Sequence, residues 1–422
     1  MRKNLKNSLT ALVRYQIDYD ILSMFIFLAF LLMPIKGFSY QPRFSTAGFY
    51  ELPNTGRKVY SMNMAWRFHK GSLNDMPWRN DYDDKGWETV SLPNGIELLP
   101  VDASGGVNYQ GEVWYRKHFI PSNDLKGKKL FLHFEGIMGK CKVWINGILV
   151  KEHFGGYLPV IVSVDNLKWN QDNIITVLAD NSNDGTYPVG QPQELLDFTY
   201  FGGIYRDCWL IAHNNIFITD PNYENEVAGG GFFISYDRIS EESAAINFKT
   251  HIRNESGNKA VVHVVYELTD STGAIVKVIA DKINLKNGDA SYSYGKMQLR
   301  QPHLWSPESP YLYRLNIFVK DNDGNVIDGY QRKIGIRSVE FKQADGLWIN
   351  GKPYGKIMGT NRHQDFAVVG NALPNIMQWR DAKKLRDAGL KVIRTHYVID
   401  PAFMDACDEL GLFALVETPG WH

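Results

Sequence analysis

The sequence predicts a multidomain protein: a jelly-roll β-sandwich, an immunoglobulin-like β-sandwich, and then the start of an incomplete (β/α)8 TIM barrel. Short strands rich in β-branched and aromatic residues, separated by turn clusters, fill the two blocks 40–221 and 222–341. From residue 342 to residue 422 the pattern changes to strand, helix, strand, helix, strand, which is typical of a parallel α/β unit. An apolar run lies within residues 1–39, before the first sandwich.

The composition favours neutral partners. The chain has 422 residues, of which 44% are hydrophobic and 13% aromatic, so it can bury several cores. Lysine plus arginine and aspartate plus glutamate number 46 each, a balance that gives no indication of a nucleic-acid or anionic-membrane partner. The three cysteines, Cys141, Cys208 and Cys407, are far apart and form no CxxC motif, so we predict buried thiols rather than disulfides or a zinc site.

The amino terminus resembles an export signal. Basic residues precede an apolar run from Ile21 to Met33, and the small residues Gly37 and Ser39 follow near a plausible cleavage point. These 13 residues suit a signal-peptide core better than a membrane span, which needs about 20. We therefore expect an exported, periplasmic or extracellular protein. The alternatives are an uncleaved membrane anchor and a true start at Met24.

The first sandwich is predicted from residues 40–221. Candidate strands run over 113–121, 129–135, 141–145, 148–151 and 174–179. Asn146-Gly147, between two of these strands, is a strong signal for a two-residue hairpin turn. Because no long helical periodicity interrupts this region, we interpret it as a jelly-roll sandwich.

The second sandwich is predicted from residues 222–341. Four turn clusters, beginning at Asn254, Asp270, Lys286 and Asp321, separate strands of alternating hydrophobicity. Regular turns and short strands over about 120 residues are typical of an immunoglobulin-like sandwich. We assign this domain a supporting role.

The third block places polar residues at the ends of predicted strands. A helix is predicted from Asn375 to Ala388, and a second helix from Pro401, with Asp400 as its N-cap and Gly411 as its end. Three short strands are followed by polar groups: 361–363, 394–396 and Glu417. In a parallel barrel the loops after the strands open on one face and carry the reactive groups. A histidine after a strand is often structural, but two of them on neighbouring strands with an arginine favour a site.

Three separated motifs in this chain resemble glycoside hydrolase family 2, the group that contains β-galactosidases, β-glucuronidases and β-mannosidases. They are GTNRHQDF, KVIRTHYVIDPAFMDACDELGLF and FGGIYRDCWL, and the resemblance extends over roughly residues 50–422. It implies a retaining glycosidase, with a jelly-roll sugar-binding domain in front and the catalytic barrel behind. The resemblance also implies that the last strand of the sugar-binding domain runs from Gly203 to Leu210.

The resemblance also implies roles for particular residues. His363 and His396 match family histidines that bind sugar hydroxyls, and Arg394 matches an arginine that pairs with the catalytic nucleophile. Asn361 lies beside them. Asp197 stands where the family has an aspartate that reaches a sugar hydroxyl, and a carboxylate can accept two such bonds. We interpret Glu417, at the end of the third strand, as a supporting or structural carboxylate.

The reactive carboxylates are expected beyond His422. A retaining glycosidase needs an acid/base and a nucleophile about 5 Å apart, and the family places these two glutamates after later barrel strands. A closed barrel takes roughly 200 to 250 residues, whereas Leu347 to His422 supplies 76. We therefore assign no catalytic residue in this chain and expect it to be a fragment that is inactive alone.

The predicted function is hydrolysis of terminal β-D-galactosides, with a β-linked glycoside or oligosaccharide as the substrate. The complete enzyme could form a homo-oligomer and use a divalent or monovalent cation, for which no ligand is assigned here; no nucleic acid is expected. One alternative is a β-glucuronidase or β-mannosidase fragment of the same family. The other is a non-catalytic carbohydrate-binding protein.

Overall fold

The computed structural model describes residues 54–98, 108–188, 191–196, 198–227 and 229–419. The predicted export signal in residues 1–39 lies outside the described residues, as does Asp197. Among the helices of the described part, none combines the length and the apolar character that a membrane crossing requires.

The first sandwich consists of two antiparallel sheets. Its strands are β1 (Lys58–Ser61), β2 (Trp66–Lys70), β3 (Glu88–Val90), β4 (Glu112–Phe119), β5 (Lys129–Phe134), β6 (Lys140–Ile145), β7 (Ile148–Phe154), β8 (Val160–Ser163), β9 (Asn173–Asp180) and β10 (Cys208–His213). The spatial orders are β1-β10-β5-β8 and β3-β2-β4-β9-β6-β7. Asn146 and Gly147 both have positive φ, 51° and 83°, between the paired strands β6 and β7. This confirms the predicted hairpin.

The last strand of this sandwich begins later than predicted. The sequence resemblance implied a strand over Gly203 to Leu210, whereas β10 starts at Cys208. Gly203 has a φ of +90°, which breaks the extended run. The side chains of Arg206 and Asp207 then bond to Gln364 and Asn375 in the third block, so this segment serves the domain contact instead of the sheet.

The second sandwich contains two four-stranded sheets. Its elements are β11 (Ile216–Ile218), the short helix α1 (Pro221–Glu224), β12 (Phe232–Asp237), β13 (Ser243–Asn254), β14 (Ala260–Thr269), β15 (Ile275–Leu285), β16 (Ala290–Arg300), β17 (Tyr313–Lys320) and β18 (Val326–Ile334). β13 pairs with β11, β12 and β16, and the other sheet has the order β15-β14-β17-β18. β11 precedes residue 222 in the chain but pairs into this sandwich.

The third block forms a small parallel sheet backed by two helices. A linking antiparallel sheet of β19 (Val339–Phe341), β20 (Leu347–Ile349) and β21 (Lys352–Pro353) comes first. The elements β22 (Gly359–His363), α2 (Asn375–Asp387), β23 (Val392–His396), α3 (Pro401–Leu410) and β24 (Phe413–Val416) follow, with the three strands parallel in the order β22-β23-β24. This confirms the predicted strand and helix order.

The ends of α3 are set by the residues that the sequence indicated. The Asp400 side chain accepts a hydrogen bond from the Ala402 backbone N–H at 2.8 Å, as an N-cap does. Pro401 occupies the first turn, and Gly411 ends the helix with a left-handed φ of 74°. α3 is thereby held in place behind the sheet.

Candidate functional site

The two faces of the β22–β24 sheet differ in character because side chains alternate along a strand. Ile393 belongs to the apolar core beneath α2 and α3. On the same face, Arg362 donates to Gln378 (2.8 Å) and Asp381 (3.0 Å) of α2 and lies over the Phe403 ring of α3. This face is the helix-covered one. The other face carries the polar residues that the sequence singled out.

That polar face presents four of the predicted site residues in two register pairs. Asn361 lies opposite Arg394, and His363 lies opposite His396, on the adjacent strands β22 and β23. Asn361 is exposed, whereas His363 and His396 are partly buried. The strand register therefore brings these four side chains together at one end of the sheet.

The two histidine rings are stacked. Their centroids lie 4.4 Å apart and their planes are inclined by only 7°. Phe198, from the loop that precedes β10, covers His363 at a centroid distance of 5.4 Å and also contacts Tyr397 at 5.9 Å. The site is thus shared between the parallel sheet and the first sandwich.

Glu417 joins two of the site residues on β23. Its Oε1 accepts a hydrogen bond from Arg394 Nη2 at 2.8 Å, and its Oε2 lies 3.0 Å from His396 Nε2. The sequence resemblance implied that Arg394 pairs with the catalytic nucleophile. In the described residues its partner is Glu417, because this carboxylate follows β24 directly and faces the same side of the sheet.

Asp197, the remaining predicted site residue, lies outside the described residues. Its neighbours Leu196 and Phe198 pack against a buried aromatic cluster that contains Tyr157, Tyr200 and Tyr397. No group of three or more histidine, cysteine, aspartate or glutamate side chains suited to a metal ion occurs in the part of the chain that the structure describes.

Arg206, which the sequence motifs do not mark as a site residue, fixes the loops on which the site is built. Its Nη2 donates to Gln364 Oε1 at 2.6 Å and to the Val398 carbonyl at 2.7 Å. Gln364 follows His363 directly, and Val398 is two residues beyond His396. Arg206 lies in the motif FGGIYRDCWL, but a sequence motif does not indicate which side chain crosses to another domain.

Several buried acids surround Arg206. Glu135 is 1% exposed and accepts a hydrogen bond from Trp209 Nε1 at 2.6 Å. Burial, together with the nearby Asp207 and Asp400, raises its pKa well above the usual value. Burial and Asp400 also raise the pKa of Asp207 to about 6, against hydrogen bonds from Asn63 and Asn375 that lower it. These carboxyl groups therefore take up protons more readily in the folded protein.

We expect Asp207 to contribute stability that is lost as the pH rises from about 4 to about 6. The folded state keeps a proton on Asp207 up to about pH 6, while the unfolded chain loses it near the usual value of 3.8. At this position the folded state binds more protons than the unfolded chain within this window, so the contribution of Asp207 to stability decreases with rising pH. A shift of this size corresponds to about 3 kcal/mol. Urea unfolding measured at several pH values checks the slope.

The Asp207→Asn variant tests the origin of this pH dependence, because it removes the titrating group. The slope between pH 4 and pH 6 becomes shallower, whatever the variant does to the absolute stability. Asp323→Asn, at an exposed turn of the second sandwich, is the matched control and keeps the original slope. An unchanged slope in Asp207→Asn would contradict the assignment.

The polar face is chemically suited to bind a polyhydroxylated ligand. An imidazole both donates and accepts hydrogen bonds, a guanidinium donates up to five, and an asparagine amide does both. Phe198 packs on His363, which in turn stacks on His396, so these three rings form a flank beside the polar groups. This combination fits a sugar, which has hydroxyl groups at its edge and C–H groups on its faces.

Three models of one protein family match successive parts of the chain. The model described as "Glycosyl hydrolases family 2, sugar binding domain" matches residues 72–214. "Glycosyl hydrolases family 2" matches residues 230–337, and "Glycosyl hydrolases family 2, TIM barrel domain" matches residues 339–421.

Among curated proteins, the chain is 34% identical over 373 residues to a protein of Thermoanaerobacter pseudethanolicus named beta-galactosidase, covering 87% of this chain and 47% of that protein. It is 31% identical over 382 residues to a Formosa agariphila protein named beta-glucuronidase, covering 86% of this chain and 38% of that protein. The chain thus spans about half or less of the length of these relatives.

The similar solved structures also include proteins of both names, beta-glucuronidase and beta-galactosidase. A beta-glucuronidase of Bacteroides uniformis superposes with a TM-score of 0.78 at 29% identity, covering 86% of this chain and 42% of that chain. A putative beta-galactosidase of Bacteroides fragilis has the same TM-score at 31% identity, covering 86% of this chain and 53% of that chain.

Proposed function

The chain belongs to glycoside hydrolase family 2, and from this we propose that it supplies the sugar-binding side of a retaining β-glycosidase that hydrolyses terminal β-D-galactosides. The observation that carries the proposal is the register of β22 and β23, which sets His363 beside His396 and Asn361 beside Arg394 on one polar face. These side chains would hold the sugar hydroxyls while two carboxylates act on the glycosidic bond.

The chemistry would proceed by double displacement. One carboxylic acid protonates the leaving oxygen, and a second carboxylate attacks the anomeric carbon from about 5 Å away. We assign neither role to a residue of this chain. Glu417 is a poor candidate for either role, because both of its oxygens already face Arg394 and His396. We propose that the present residues bind and orient the sugar and that both reactive groups come from later barrel strands.

A neutral sugar is favoured by the pairing of the two arginines on the barrel strands. Arg394 is paired with Glu417 at 2.8 Å, and Arg362 is paired with Asp381 at 3.0 Å on the helix side of the sheet. A uronate carboxylate would need a cation for recognition. The relative with 34% identity, which is named beta-galactosidase, points the same way.

A β-glucuronide is the second candidate substrate. It is supported by the Formosa agariphila relative and by the Bacteroides uniformis structure, both of which carry the name beta-glucuronidase. The two candidates differ in the group at C6 of the sugar, which is a hydroxymethyl in galactose and a carboxylate in glucuronate. Ligands that differ at this group therefore discriminate between them.

We expect the 422-residue chain to bind methyl β-D-galactoside more tightly than methyl β-D-glucuronide. Saturation-transfer NMR and calorimetry measure this. His363→Ala lowers the affinity by roughly tenfold, since the loss of one buried hydrogen bond costs on the order of 1–3 kcal/mol. The control His263→Ala changes a histidine of β14 in the second sandwich and leaves the affinity unchanged. Exclusive binding of the glucuronide would replace the galactoside proposal with the second candidate.

A further inference from the structure

Glu417 touches two residues of the proposed sugar site. We propose that it is a positioning residue, which holds Arg394 and His396, and through His396 also His363, in the orientation that binds the sugar. This inference rests on the proposed function and adds a residue to it. From the sequence alone, Glu417 is interpreted only as a supporting or structural carboxylate.

Each carboxylate oxygen of Glu417 contacts a different residue. Oε1 accepts from Arg394 Nη2 at 2.8 Å, and Oε2 lies 3.0 Å from His396 Nε2. Arg394 and His396 are two residues apart on β23, so they point to the same side of the sheet. A single carboxylate at the end of β24 can therefore hold both of them, Arg394 through a hydrogen bond and His396 through a contact at ion-pair distance.

The link to His363 runs through the ring stack. His396 has Glu417 at its Nε2 edge, and His363 lies 4.4 Å from its ring with the planes nearly parallel. Phe198 closes the other side of His363 at 5.4 Å. A change in the angle of the His396 ring would therefore displace His363 or open a gap between the rings. Glu417 thus influences three of the four site residues on this face.

Charge gives the carboxylate a second effect. Arg394 is permanently cationic, and His396 lies two residues away on the same face of β23. Without a negative group between them, a protonated His396 and Arg394 would repel each other. Glu417 is 30% exposed and His396 is 13% exposed, so solvent screens this repulsion only in part. The carboxylate compensates both donors at once, and a neutral amide in its place would not.

A purely structural role would be to pin β24 against β23. This alternative predicts a loss of stability in any variant that breaks the contact, with no separate effect on the sugar. The positioning role predicts an altered His396 ring and a weakened site in a chain that is still folded. The two roles therefore separate in measurements of the ring and of unfolding.

The first measurement follows the His396 ring by ¹⁵N–¹H NMR, with its signal assigned from a His396→Gln variant. We expect the ¹⁵N shifts of the His396 ring to change in Glu417→Gln, because the negative charge 3.0 Å from Nε2 is removed. Glu417→Asp, which keeps the charge, restores part of the wild-type shift. His396 ring shifts that are the same in the wild type and in Glu417→Gln would overturn the inference.

The second measurement is the affinity for methyl β-D-galactoside. Glu417→Gln weakens binding roughly tenfold, while the urea midpoint stays at the wild-type value. Glu409→Gln is the matched control, because Glu409 is 33% exposed and also pairs with a cation, Lys333, away from the site. Wild-type binding that Glu417→Gln leaves intact overturns the positioning role. A wild-type chain that binds no glycoside at all refutes the proposed function instead.

Discussion

The Asp328→Ala variant is expected to lose about 3–5 kcal/mol of unfolding free energy, the range for removing one partner of a buried ion pair. Asp328 is completely buried and Arg57 is 8% exposed. The alanine would leave the guanidinium in the protein interior without its carboxylate. Urea unfolding at pH 7, followed by tryptophan fluorescence, measures the loss.

The effect is large because one carboxylate joins the two sandwiches. Asp328, on β18, accepts from Arg57 Nε at 3.1 Å and from Arg57 Nη2 at 2.9 Å, and it also accepts from the Ile218 backbone N–H at 2.7 Å. Burial alone would raise the pKa of Asp328. The charge and hydrogen bonds of Arg57, together with the nearby His213, outweigh burial and hold the pKa well below its usual value. The pair is therefore ionised throughout the neutral range.

Two further variants separate the ion pair from ordinary surface electrostatics. Asp124→Ala removes the partner of Lys58 in an exposed pair and leaves the urea midpoint almost unchanged. The double variant Arg57→Met with Asp328→Leu recovers much of the lost stability, because an apolar pair of similar volume avoids burying a lone charge. A single Asp328→Ala variant as stable as Asp124→Ala would show that the buried pair contributes little.

Much of the fold could be predicted because its signals are local. Asn146-Gly147 encodes its turn through two residues that tolerate positive φ, and Asp400 and Gly411 mark the ends of α3 by capping. The segment from Gly203 to Asp207 was predicted wrongly as strand. Its apolar and aromatic residues resemble a strand, but its conformation depends on partners more than 150 residues away, such as Gln364.

The candidate site was predictable only in part, for a related reason. His363 and His396 could be placed together because each lies at the end of a short strand, and parallel neighbours align their ends. The bridge from Glu417 to Arg394 and His396 depends on the register of β24 and on side-chain direction. The sequence offers no local signal for either property. The roles of His363, His396 and Arg394 in binding sugar, and the role of Asp197, stay predictions.

Arg206 shows how strongly the site depends on the first sandwich. It is 2% exposed and lies at the junction with the third block. Its Nη1 lies 3.4 Å from the backbone carbonyls of Glu135 and Tyr157, within its own sandwich. Its Nη2 reaches the loops that follow β22 and β23. One planar guanidinium thus fixes the carboxyl ends of two barrel strands against another domain.

We expect Arg206→Met to destabilise the protein by about 3–5 kcal/mol and to abolish galactoside binding. Each lost charge-assisted hydrogen bond costs roughly 1.5–3 kcal/mol, and Gln364 and the Val398 carbonyl both lose their donor. Amide hydrogen exchange should quicken in residues 364–366 and 396–400, the loops that carry the site. Arg206→Lys keeps the charge but lacks the planar, multi-donor guanidinium group, so its effect is intermediate. Arg79→Met, at a 59% exposed arginine, leaves both exchange and binding unchanged. Unaltered exchange in the two loops of Arg206→Met would mean that the parallel sheet holds the site without help from the first sandwich.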